Sequence, residues 1–189
     1  MTEVVETNVG TPKKKGWPKK VTPKLGFFRL HPMVNLPVMG TKGSACYDLA
    51  YCAAGKTAIS GHDHVNNIIS NQIGTNGSFE IRPFERLLVP TGLIMDIPEG
   101  YSVRVHPRSG LSVKNGLTLI NCEGIVDHDY VEEVFITLLN NSNTFQVIAN
   151  GTRLAQFELV KNLSFDSIEV KVRPSQKTNR SGGFGSTGV

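Results

Sequence analysis

The stretch YSVRV, Tyr101–Val105, alternates apolar and polar side chains with a period of two. That is the signature of a strand with one face in a core and one toward water. Comparable runs recur on both sides of it: Phe79-Glu-Ile-Arg82, Leu87-Leu-Val89, Val134-Phe-Ile-Thr-Leu-Leu139, Phe145-Gln-Val-Ile148, Phe157-Glu-Leu-Val160 and Ile168-Glu-Val-Lys-Val172. Turn-forming residues separate them, at Pro98-Glu-Gly100, Asn140-Asn-Ser-Asn143 and Asn150-Gly151. Many short strands at this spacing predict an all-β sandwich or barrel. Only Ser109 to Asn115 reads as a short helix, closed by Gly116.

The ends read differently. Residues 1–24 mix Lys, Pro, Thr and Gly with little periodicity, and are expected to be a disordered basic arm. Six of the chain's 20 basic residues lie there with two of its 16 acids, which leaves 14 of each sign in the rest. The body is therefore neutral, and nucleic acid is not an expected partner. Residues 25–175 are expected to form one β domain, and 176–189 a flexible glycine-rich arm. Within the domain, residues 56–78 are polar and rich in Asn, Gly and Ser. They predict an inserted loop, the candidate surface for a protein partner. His62-x-His64 there is a weak metal signal. No apolar run is long enough for a membrane span. Cys46, Cys52 and Cys122 lack zinc-type spacing and fit a reducing cytoplasm.

Five polar stretches could carry chemistry: Ala45-Cys-Tyr-Asp-Leu49; Pro107-Arg-Ser-Gly-Leu-Ser112; Asn121 to Tyr130; Gly151-Thr-Arg-Leu-Ala-Gln156; and Arg180 to Gly188. At Arg108-Ser109-Gly110 a guanidinium, a hydroxyl and a glycine amide stand where a helix begins. That suits an anion, and an N-cap with a surface arginine reads the same way. Asp127-His-Asp129-Tyr130 could supply a general base, a Mg²⁺ pair, or a charged hairpin tip. On a strand, Asp127 and Asp129 would share one face. Arg153 and Gln156 are either phosphate donors or structural contacts. Gly183-Phe-Gly185-Ser-Thr-Gly188 is spelled like a dinucleotide-binding turn. Such a turn must follow a strand and open a helix, and only Val189 follows it.

Taken in order, the five stretches resemble the five motifs of the trimeric dUTPases, over residues 26 to 189. Pro90-Thr-Gly-Leu93 and Ile97-Pro-Glu-Gly-Tyr101 add to the resemblance. It implies a distorted β-barrel or jelly-roll (a β-clip) assembled as a homotrimer, with active sites shared between subunits. It implies hydrolysis of dUTP to dUMP and pyrophosphate with Mg²⁺, in the cytoplasm, or in the host-cell cytoplasm for a viral chain. By the resemblance, Asp127 activates the water that attacks the α-phosphorus. Asn121 reads the uracil edge, Gly124, Ile125 and Val126 bring backbone to the base and sugar, and Tyr130 lies under the deoxyribose. Arg108, Ser109, Gly110 and Gln156 hold phosphate. Asp48 acts near the metal's waters or braces other site residues. Arg180, Phe184, Gly185 and Ser186 belong to an arm that closes over the nucleotide. Cys46, Thr152 and Val131-Glu132 depart from the family's usual residues, and Arg180 stands one residue closer to Phe184 than usual. Two rivals remain: a dCTP deaminase of the same fold, for which Glu123 is the nearby glutamate, and a regulatory protein acting through 56–78.

Overall fold

The computed structural model describes residues 22–179. Of the expected arms, 1–24 and 176–189, residues 1–21 and 180–189 lie outside the described residues. Thirteen short strands and one helix follow in order. They are β1 (Gly26–Arg29), β2 (Tyr47–Ala50), β3 (Ala58–His62), β4 (Ile68–Gln72), β5 (Phe79–Ile81), β6 (Arg86–Pro90) and β7 (Leu93–Asp96). Next come β8 (Tyr101–Pro107), α1 (Ser109–Asn115), β9 (Leu117–Leu119), β10 (Gly124–Val126), β11 (Phe135–Asn140), β12 (Gln146–Ile148) and β13 (Arg153–Lys161). The protein is mostly β with one short helix, as its periodicity predicts.

Two sheets carry the domain. One has the order β10-β8-β13-β2, the other β4-β3-β6-β11-β9, and neither closes on itself. Two-stranded pieces, β1-β7 and β12-β5, flank them. The alternation in β8 and β11 has its physical outcome in burial. Val103 and Val105 point inward from the first sheet, Ile136 and Leu138 from the second, and all four belong to one core. Phe157 of β13 anchors that core. It is 1% exposed and packs edge-on to Phe27 and stacked on Tyr47. Asn140 is also buried, and its amide is fully used. Nδ2 donates to the carbonyls of Ile81 and Thr144, while Oδ1 accepts from Ser142. Burial pushes the Tyr51 hydroxyl up to about 12, and that hydroxyl donates to the Gly77 carbonyl. The helix ends as expected: Gly116 takes the left-handed conformation and returns its N–H to Leu111.

Two expectations are corrected. Residues 56–78 are not simply a loop, because β3 and β4 form an antiparallel hairpin that widens the second sheet. Its inward apolar positions are few, Ile59 buried and Ile69 partly so, Gly61 is buried without a side chain, and Ile68 is exposed on the other face, which hides the alternation. The hairpin's turn is held by the Asp63 carboxylate. It accepts from the backbone of Val65 and Asn67 and from the Asn67 amide. Desolvation raises the Asp63 carboxyl, but these hydrogen bonds outweigh it and hold the group below its ordinary value. The second correction concerns Ile168–Val172, which forms no strand. Its apolar residues Ile168, Val170 and Val172 are 78, 61 and 80% exposed, with no strand of the described chain beside them.

Candidate active site

The second sheet and the paired strands β8 and β10, with the turn after β10, line a cavity of about 520 Å³. Asn121, Gly124, Ile125, Val126, Asp127 and Tyr130 all line it, so the third stretch converges as one unit. Gly124 fits closely where it stands: a Cβ there would come within 3.2 Å of the Val105 Cβ, which would have to give by a few tenths of an ångström. β10 therefore lies close on β8, with Gly124 opposite Val105 and Val126 opposite Val103. Asp127 and Asp129 are not on a strand. The Tyr130 N–H donates to the Asp127 carbonyl at 3.2 Å, closing a turn that presents both carboxylates to the cavity.

Asn121 has a fixed orientation. Thr137 Oγ donates to its Oδ1 at 2.7 Å, which leaves the amide NH₂ as the end available to a ligand. Thr137 was missed in the sequence reading. Its signal is the period of β11, which puts Phe135 and Thr137 opposite the buried Ile136 and Leu138. Phe135, Leu88 and Leu119 supply apolar lining.

The first, second and fourth stretches form a separate cluster. Asp48 on β2 faces Gln156 on β13, which faces His106 on β8. The Asp48 carboxylate is gripped on both oxygens, by Arg108 Nε at 3.0 Å and Arg153 Nη1 at 2.8 Å. Arg108 also donates to the Arg153 carbonyl, and the Gln156 amide donates to the Pro107 carbonyl. Asp48 thus ties Arg108 and Arg153 together by ion pairs. Burial, then the carboxylates of Glu158 and Asp48, push the nearby Cys46 thiol up. Ser109 and Gly110 head the helix, exposed, and a side chain at Gly110 would meet no atom of this chain within 4 Å.

The cavity and the cluster do not meet within one chain. β10 runs antiparallel to β8, so Asp127 follows Val126 toward the Ser102 end while Arg108 follows Pro107 at the other end. Six residues of strand separate these levels, roughly 20 Å at about 3.3 Å per residue. A cavity of similar volume, about 570 Å³, lies between β4 and β5, where Asn71 and Glu85 already bond to each other. Among the described residues no three His, Cys, Asp or Glu side chains converge as metal ligands.

A dUTPase family model matches residues 73–188. The chain belongs to the dUTPase family. A deoxyuridine 5'-triphosphate nucleotidohydrolase of Brucella melitensis biotype 2 is 37% identical over 169 residues, covering 88% of this chain and 94% of the relative. The enzyme of that name from Finegoldia magna is 45% identical over 114 residues, covering 60% of this chain and 79% of its own. In three dimensions this dUTPase-family chain is similar to Staphylococcus bacteriophage 80alpha dUTPase, solved with dUPNHPP. The TM-score is 0.68 at 21% identity, covering 89% of this chain and 100% of the phage protein. Arg180, Phe184, Gly185 and Ser186, the arm residues of the family pattern, lie outside the described residues.

Proposed function

We propose that this chain is a dUTP diphosphatase, cleaving dUTP to dUMP and pyrophosphate and so limiting uracil in DNA while supplying dUMP for dTMP. The observation that carries the proposal is one cavity holding a base-reading amide, an aromatic wall and a carboxylate: Asn121, Tyr130 and Asp127. Asp127 takes a proton from a water as its oxygen attacks the α-phosphorus. The bond to the bridging oxygen breaks, and pyrophosphate leaves with that electron pair.

Base choice follows from the Asn121–Thr137 bond. The exposed NH₂ donates to a uracil carbonyl, whereas cytosine presents its own amino donor at the equivalent edge. Thr137→Val would free the amide to flip. The dUTP-over-dCTP ratio of kcat/KM is then expected to fall about tenfold, measured with both nucleotides. Glu123 faces Arg104 and His106 at 3.7 and 3.8 Å and does not line the cavity, which disfavours the deaminase reading.

Mg²⁺ enters as part of the substrate. Both Asp48 oxygens pair with arginines, and no three His, Cys, Asp or Glu side chains converge among the described residues, so the triphosphate is the natural ligand. The role left to Asp48 is to aim Arg108 at phosphate, beside the open helix start at Ser109 and Gly110. Because a chain's own cradle lies roughly 20 Å from its own Asp127 by strand rise, the complete site needs a cradle from another copy. That supports a homotrimer with shared sites. The exposed, strand-patterned Ile168–Val172 would complete a distorted jelly-roll by pairing with a neighbour, and carry Arg180, Phe184, Gly185 and Ser186 over the nucleotide. No helix of the described residues is long and apolar enough to cross a membrane, and a cytoplasmic setting suits the substrate. The test is pyrophosphate release from dUTP, dCTP, dTTP and UTP. Release from dUTP alone is expected, and equal release from all four would overturn the proposal.

A further inference from the structure

The hairpin of residues 56–78 is rooted at Lys56, which does not line the nucleotide cavity but contacts one of its wall residues. Its ammonium lies 2.7 Å from Glu133 Oε2 and 5.8 Å from the centre of the Phe135 ring, a cavity wall. The other carboxylate oxygen of Glu133 accepts the Gly92 N–H at 2.8 Å. Glu133 is 7% exposed, so its charge depends on these two donors. Gly92 stands where a side chain would not fit: it has φ +69°, and a Cβ there would lie 2.5 Å from Val34. Glu133 is therefore held between this turn and Lys56. Its backbone carbonyl in turn accepts the Tyr130 hydroxyl at 3.0 Å. The next residue is clamped as well, since the Val134 N–H donates to Leu93 and its carbonyl accepts from Thr91.

We infer that Lys56 and Glu133 are a positioning pair that sets the Tyr130 wall, and through it the preference for deoxyribose over ribose. The inference rests on the proposed dUTP-binding reading of this cavity. Tyr130 is 41% exposed, and its hydroxyl contact to the Glu133 carbonyl is the hold on its outer end that the pair controls. A ring displaced by even a fraction of an ångström would leave space beside the sugar for a 2′-hydroxyl. The Asp127 turn is closed by the Tyr130 backbone N–H and not by its ring, so a shift of the ring alone leaves the carboxylate in place. The root of the hairpin thereby becomes part of the site's scaffold, without touching a ligand.

The full-length protein and its Lys56→Met and Lys56→Arg variants would be compared in two ways. One is calorimetric affinity for dUMP and for UMP; the other is steady-state pyrophosphate release from dUTP. Lys56→Met is expected to lower the dUMP-over-UMP ratio about tenfold and to leave kcat for dUTP within about twofold. Lys56→Arg keeps the charge and the stacking over Phe135, and is expected to hold the ratio within about twofold of the parent. If Lys56→Met leaves Glu133 too costly to bury, the double variant Lys56→Met/Glu133→Gln removes that charge. It should recover the melting temperature but not the ratio. A ratio within about twofold of the parent in a folded Lys56→Met or double variant overturns the inference. Loss of pyrophosphate release in the parent, with its dUMP preference intact, overturns the hydrolysis reading alone. A parent that binds dUMP no better than UMP overturns both.

Discussion

Asp127→Asn is expected to lower kcat for dUTP about a thousandfold, the range of a lost general base. The substitution keeps the shape of the side chain and removes its capacity to take a proton. The turn should survive, because the contact that closes it is from the Tyr130 N–H to the Asp127 backbone carbonyl. KM, dUMP affinity and melting temperature should therefore stay near the parent's. Pyrophosphate release measures the loss, and calorimetry with dUMP shows that the cavity is intact. Asp129 is the internal control, since it lines the same cavity and carries the same charge. If Asp129→Asn abolishes turnover and Asp127→Asn costs less than about tenfold, the base has been assigned to the wrong carboxylate.

That pair also shows where the sequence stopped being informative. Strand periodicity was legible in β8 and β11 because each has one core face and one outer face, so burial writes itself into alternate positions. The same rule failed at Asp127 and Asp129. The ladder ends at Val126, and a turn obeys no period of two. The hairpin of 56–78 was obscured for a different reason. Only Ile59, Ile69 and Ile73 reach the core from it, too few to produce a pattern. Ile168–Val172 has the opposite character: its pattern is strand-like, but a strand exists only where a partner edge is available. The residues of the third stretch do converge on one cavity. The motifs could not show Thr137 orienting Asn121, Asp48 gripped by two arginines, or Lys56 reaching Glu133. Those contacts join residues 16, 60, 105 and 77 positions apart, and no local pattern encodes them.

Gly61→Ala is expected to be the most damaging single methyl in the hairpin, at a buried position of β3. At this position the backbone of β3 presses on β6, with Gly61 opposite Leu87. A Cβ would sit 2.0 Å from the Arg86 carbonyl oxygen and 2.7 Å from Leu87 Cδ2. A side-chain tip could move aside, but this oxygen belongs to a strand already paired on its other edge, Leu87 with Leu138 and Arg86 with Leu139. Relief must come from lifting β3 away, which withdraws Ile59 from the core and exposes the edge of β6. The cost is expected at about 3 kcal/mol, the upper end for overpacking, and the melting temperature should fall by about 10 °C. Gly40→Ala is the matched control. A Cβ there meets nothing within 4 Å, and its effect should stay within about 0.5 kcal/mol. Thermal unfolding followed by circular dichroism compares the two. Equal shifts would mean that β3 yields at no cost and that the hairpin is only loosely attached. A loss confined to Gly61→Ala would establish that residues 56–78 are docked on β6 and share the stability of the domain.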